Sequence, residues 1–141
     1  MLTDYLSAID DYTKAIELDP EYAEAYFWRA LSHSGLKDDS SAIDDYTKAI
    51  EINPKNADAY SNRGIAKENL EDYEGAIADY TKAIEFDPEY ADAYTNRGIA
   101  KGILEDYEGA IADFDKAIAI NPSYADAYTN RGIAKGILED Y

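Results

Sequence analysis

Arg29, Arg63, Arg97 and Arg131 stand 34 residues apart, and Asp11, Asp45, Asp79 and Asp113 keep the same interval. A guanidinium and a carboxylate can pair through two parallel N–H···O bonds. An arginine on an apolar helix face can lay its methylenes on that face while its head reaches a carboxylate. These rows predict an internal ion-pair ladder, each arginine meeting the aspartate of its own copy or of the preceding one. Other chemistry is thinly represented. His33 is the single histidine and there is no cysteine, so neither a histidine-pair or thiolate metal site nor a Ser-His-Asp relay can be drawn. His33 holds a position taken by Lys67, Lys101 and Lys135 elsewhere, a surface or boundary substitution. Glu71-Asp72 and Glu105-Asp106 are paired acids, but a glycosidase-like pair needs one carboxyl with a raised pKa in an apolar cleft, and these read as solvated turn residues. Neither a GxxxxGK[ST] nor a GxGxxG element occurs. The expectation is a non-enzyme, with no catalytic residue, no metal and no cofactor.

The elements that carry these rows follow from the interval itself. Pro20, Pro54, Pro88 and Pro122 are the only prolines and are also 34 apart; residues 91–107 recur letter for letter at 125–141, and 57–73 differs from them at three positions. A fixed period of this length means a stacked array in which each unit buries its apolar face only against its neighbours. Such an array offers a long surface rather than a pocket. Within one period, Ala59, Tyr60, Gly64, Lys67 and Leu70 fall on one helical face, and Ala76, Ile77, Tyr80, Ala83 and Ile84 on another. Asp72 is the expected N-cap between them, and Asp87-Pro88 the expected stop, because proline disfavours the helical conformation of the residue before it. The pattern predicts helices near 5–18, 23–36, 40–53, 57–70, 74–87, 91–104, 108–121 and 125–138. Gly64, Gly98 and Gly132, with Ala30 in the first copy, are expected where helices touch, facing Ala42, Ala76 and Ala110.

Bulk properties narrow the partner. The 141 residues carry 30 acidic and 13 basic side chains, a formal net charge of −17. So negative a surface repels phosphate backbones and anionic lipids, which argues against nucleic-acid and membrane roles, and it steers basic segments inward. No apolar run approaches the roughly 18 residues of a membrane span. The opening MLTDYLSAIDDY has no basic n-region. Together with the lack of cysteine this is compatible with a cytoplasmic location.

The periodic residues resemble the tetratricopeptide repeat. Tyr60, Gly64, Ala76, Tyr80, Ala83 and Pro88 match its signature spacing, as do Tyr26/Ala30/Ala42/Tyr46/Ala49/Pro54 and Tyr94/Gly98/Ala110/Phe114/Ala117/Pro122. The arginine row replaces the family's usual leucine, and His33, Lys67, Lys101 and Lys135 its usual tyrosine. The resemblance implies an all-α, right-handed superhelical solenoid of antiparallel helix pairs. The expected units are a half repeat at 1–22 (second helix only), complete repeats at 23–56, 57–90 and 91–124, and a half repeat at 125–141 (first helix only). The last helix equals an interior one and has no polar cap, so the chain reads as a segment of a longer array.

In related arrays the first helices line the concave wall. The resemblance puts Asn62, Asn96 and Asn130 there, with Trp28 in the same slot of the first copy. Beside them come Ser61, Thr95 and Thr129 (Phe27 in the first copy) and an aliphatic row of Leu31, Ile65, Ile99 and Ile133. A side-chain amide donates and accepts, so it can hold the main chain of an extended peptide without reading its side chains. The asparagine row is similar to the ladder in the superhelical domain of O-linked N-acetylglucosamine transferases. Capture of an acidic C-terminal tail, another mode of the family, is disfavoured because Glu24, Asp58, Asp92 and Asp126 stand where a lysine is wanted. The functional expectation is a protein-interaction scaffold gripping a basic or extended partner segment along the concave face. Two alternatives remain. One is self-assembly, Ala8, Ile9, Tyr12 and Ile16 packing head-to-tail on Tyr128, Gly132 and Leu138 of a second copy. The other is the substrate-recruiting arm of a larger enzyme.

Overall fold

The structure, a computed structural model, describes residues 2–140. Eight helices fill them in the order α1 (Leu2–Leu18), α2 (Ala23–Gly35), α3 (Asp39–Ile52), α4 (Ala57–Asn69), α5 (Tyr73–Phe86), α6 (Ala91–Ile103), α7 (Tyr107–Ile120) and α8 (Ala125–Glu139), with no strand among the described residues. Boundaries fall within one residue of those expected, except that α1 begins at Leu2.

Local chemistry sets each boundary. Lys37, Glu71 and Glu105 sit at φ 63°, 63° and 67°, the left-handed turn that ends a helix. The next residue's N–H then closes the turn onto the carbonyl five residues back: Asp38 to His33, Asp72 to Lys67 and Asp106 to Lys101, each at 2.9 Å. Those aspartates at once cap the following helix, their carboxylates accepting from the N–H groups of Ser41, Gly75 and Gly109. One short segment thus stops one helix and starts its antiparallel partner. The second helices stop before Asn53, Asp87 and Asn121, whose φ of −126°, −137° and −130° is extended, as a following proline requires.

Among the helix pairs, α2 packs most closely on α3, α4 on α5 and α6 on α7, and each second helix packs in turn on the next first helix. First helices of successive repeats also meet directly, α4 with α6 and α6 with α8, so the first-helix side is the tighter, inner side of the stack. The core alternates small and large side chains: Ala42, Ala76 and Ala110 are fully buried, and so nearly are Tyr46, Tyr80 and Phe114. Burying one such ring contributes on the order of 2–3 kcal/mol.

Three details depart from expectation. The glycines face rings rather than alanines: a Cβ on Gly64 would lie 2.7 Å from the Tyr80 ring, and one on Gly98 2.7 Å from the Phe114 ring. Helix α4 also ends before Leu70, which leaves the apolar face as the C-cap and is 51% exposed. Lys67 turns its head to a carboxylate instead of the core.

Candidate functional site

The inner wall stands on the expected ladder. Arg63 grips Asp79 through two bonds, Nε to Oδ2 at 2.8 Å and Nη2 to Oδ1 at 2.7 Å. Arg29 with Asp45 and Arg97 with Asp113 repeat the geometry. The partner is the aspartate of the arginine's own repeat, 16 residues on. The remaining nitrogen, Nη1, reaches back to the preceding repeat and donates to the hydroxyl of Thr13, Thr47 or Thr81, each at 3.1 Å. That hydroxyl is oriented because Thr47 and Thr81 donate to their own helices' carbonyls. One guanidinium therefore ties three helices. Each also lies over the tyrosine three residues before it, with Tyr26, Tyr60 and Tyr94 centroids at 5.7 Å. The aspartate bonds hold all three arginines above their ordinary pKa against the opposing effect of burial.

Threonines at this interval are a periodic signal that the sequence displays and that sequence reasoning passed over. The same holds for Lys67 and Lys101, whose ammonium groups sit 3.0 and 3.1 Å from the aspartate of the clamp. His33 takes the lysine slot at the boundary of the core, with Nε2 3.7 Å from Asp45 and Nδ1 3.6 Å from Asp38. Its side chain is 19% exposed. At the last junction Asp115 replaces the threonine, and Arg131 pairs with it at 2.8 Å.

On the wall itself, Asn62 and Asn96 are half-exposed, and neither makes a hydrogen bond to another described residue. Asn130 donates to the Asp126 carbonyl at 2.9 Å. Trp28 is 50% exposed, its ring edge-on to Phe27, which is half-buried and edge-on to Tyr46. Ile65 and Ile133 are exposed and Ile99 half-buried. Thr95 does not join this wall. It is 2% exposed, as is Ser61, because the tyrosine heading the next first helix lies against it: Tyr90 beside Ser61 and Tyr124 beside Thr95. Those tyrosines also donate to Asp58 and Asp92 of the preceding repeat. Burial pushes both phenols up to about 12, with the aspartates adding to the effect.

Ala8, Ile9, Tyr12 and Ile16 are half-buried on α1, whereas their counterparts Ala42 and Tyr46 are fully covered. Tyr128 is exposed, and nothing lies within 4 Å of a Cβ on Gly132. Leu138 is half-buried; of its counterparts at the ends of the earlier first helices, Leu36 is half-buried and Leu70 and Leu104 are exposed.

No group of three histidines, cysteines, aspartates or glutamates among the described residues could hold a metal ion, and no described helix is long and apolar enough to cross a membrane.

No curated protein matches the chain. Among solved structures it is similar to the crystal structure of MamA, at 27% identity and a TM-score of 0.91, covering 94% of this chain and 77% of that one. The first TPR of Spaghetti (RPAP3) bound to the HSP90 peptide SRMEEVD aligns at 25% identity and a TM-score of 0.82, covering 86% and 96% of the two chains. The second TPR domain of human RPAP3, in complex with the HSP70 peptide SGPTIEEVD, aligns at 29% identity and a TM-score of 0.78, covering 80% and 94%. A family profile described as TPR repeat matches residues 4–37, 36–70, 69–102 and 103–136. With the period, the helix pairs and the recurring small and aromatic core all in place, the chain belongs to the TPR repeat family.

Proposed function

We propose that this protein is an interaction scaffold that holds an extended, basic segment of a partner along its first-helix wall. One observation carries the reading: Asn62 and Asn96 present half-exposed amides that no described residue engages, in the same register of successive repeats. Two such amides can donate to and accept from a peptide backbone laid across them. The related RPAP3 domains hold peptides that end in Glu-Glu-Val-Asp. Here Glu24, Asp58, Asp92 and Asp126 are exposed in the first turns of the wall's helices and oppose so acidic a tail, while the net charge of −17 favours a basic one. Titration calorimetry with a lysine-rich peptide, and with the same peptide bearing glutamate for lysine, tests this. The lysine peptide is expected to bind and the glutamate peptide to fail. Asn62→Ala with Asn96→Ala should weaken binding while leaving the melting temperature nearly unchanged, since surface substitutions stay within about 0.5 kcal/mol. A preference for the acidic peptide, or unchanged affinity in the double variant, refutes the reading.

The alternative of head-to-tail association has one observation in its favour. Gly132 and Tyr128 repeat Gly98 and Tyr94 in sequence, yet Gly98 meets Phe114 and Tyr94 is buried while their counterparts are open. Light scattering over a concentration series should then show association that Tyr12→Glu abolishes. A monomer at every concentration removes this reading.

A further inference from the structure

The three inner seams of the array are closed differently. In the first repeat the Tyr46 hydroxyl meets Ser34, and in the second Tyr80 donates to Glu68 at 2.7 Å. In each, a side chain on the first helix and a phenol on the second together fill the space between them. In the third repeat both are missing, because Gly102 stands for Ser34 and Glu68, and Phe114 for the tyrosines. A Cβ on Gly102 would come no nearer than 4.0 Å to the Ala110 Cβ, so the space is open. The result is a cavity of about 230 Å³ between α6 and α8, floored by Phe114 and Ala110 of α7 and walled by Ile99, Ile103, Ile133 and Ile137. Ile103 and Ile133 at its mouth are 49% and 58% exposed.

We propose that this cavity is the anchor site for one large apolar side chain, aromatic or leucine-sized, of a basic partner peptide. The inference rests on the scaffold reading above and specifies what the wall selects. Size fits: a dry cavity of about 150 Å³ holds a benzene ring, and the cavity here is larger. Exposed isoleucines around a concave opening are the surface that an apolar anchor covers. Charge fixes the rest of the occupant. Glu105 and Asp106 follow α6, and Glu139 and Asp140 end α8, all exposed beside the half of these helices that lines the cavity. The cations of the same two helices are mostly engaged, Arg97 and Lys101 with Asp113 and Arg131 with Asp115, which leaves Lys135 exposed. Basic residues on either side of the anchor therefore meet acids.

The array supplies its own control. Gly102→Glu with Phe114→Tyr rebuilds the pair seen at Glu68 and Tyr80, filling the cavity with a solution the neighbouring repeat already folds around. The probes are two blocked heptapeptides, Lys-Gly-Lys-Phe-Lys-Gly-Lys and its Phe→Ser counterpart, together with toluene followed through the methyl signals of Ile99, Ile133 and Ile137. In the wild type the phenylalanine peptide is expected to bind about tenfold tighter, the effect of withdrawing one ring from water. Toluene should shift those methyls to saturation. In the filled variant both effects disappear while the melting temperature holds or rises. Equal affinity for the two peptides in the wild type overturns the anchor and leaves the scaffold reading standing. Binding of neither peptide, with toluene shifts intact, overturns the scaffold reading and supports the apolar specificity of the cavity. Absence of toluene shifts overturns the cavity as a site altogether.

Discussion

At Glu71 a branched-free but bulky side chain is held at φ 63°, where glycine is the relaxed residue. The left-handed conformation costs an L-residue about 1–2 kcal/mol, and glycine returns about 0.5–1 kcal/mol of that as unfolded-state entropy. Glu71→Gly or Glu105→Gly should therefore raise stability by about 0.5–1 kcal/mol in urea titration, and a fall would mean that the glutamate makes a favourable contact. Arg63 works the other way. Asp79 is nearly buried beneath it, so Arg63→Ala leaves a covered carboxylate with Lys67 alone. The cost should sit near the lower end of the range for breaking a buried pair, about 3 kcal/mol. Changing Arg63 and Asp79 together to leucine should cost less than that single change; a double variant as unstable as the single one would show that the clamp's shape, not its charge, matters. The carboxylate half of the clamp was legible because arginine and aspartate recur at one interval. The threonine half was not, since a hydroxyl on the preceding helix carries no charge to announce itself.

Between elements, tyrosines do much of the joining. Burial pushes Tyr46, Tyr90 and Tyr124 up to about 12, and burial with Glu68 raises Tyr80 further. In the unfolded chain a tyrosine ionises near 10. The folded pKa is the higher, so this stability is complete below about pH 10 and is lost as pH climbs toward 12, where the unfolded state alone has released its protons. A melting temperature falling steadily over that window, with part of the tyrosinate absorbance delayed to its upper end, is the expected result; a flat profile would contradict the burial. Helices and their ends were readable from proline, aspartate caps and the apolar spacing. The seam between α6 and α8 was not. Gly102 and Phe114 each look like minor variation, and only their placement across one gap turns two missing groups into a cavity.

The whole molecule behaves as a row of neighbours rather than a single core. Helix α1 has no buried residue and α8 only Ala127 and Ala134, whereas α4 and α6 have five each. Hydrogen exchange should be fastest in α1 and slowest in α4 through α6; uniform protection would contradict nearest-neighbour stability. The fold class was legible because repetition states the same rule several times over. Which first-helix residues stay open was legible only in part: Thr95 and Ser61 share a register with exposed Thr129, and only the arrival of the next tyrosine covers them. The guanidinium clamps have a mechanical side as well. Each is a strut of fixed length joining a repeat to the one before, and identical struts make a spring of even stiffness. The junction of Arg131 with Asp115 differs, because its far end is a carboxylate that is 54% exposed instead of a hydroxyl. Dissolved salt screens an exposed pair within a Debye length of about 8 Å at physiological strength, and leaves the hydroxyl struts alone. The spring thus has one coil whose stiffness answers to ionic strength, next to the cavity that the third repeat leaves open.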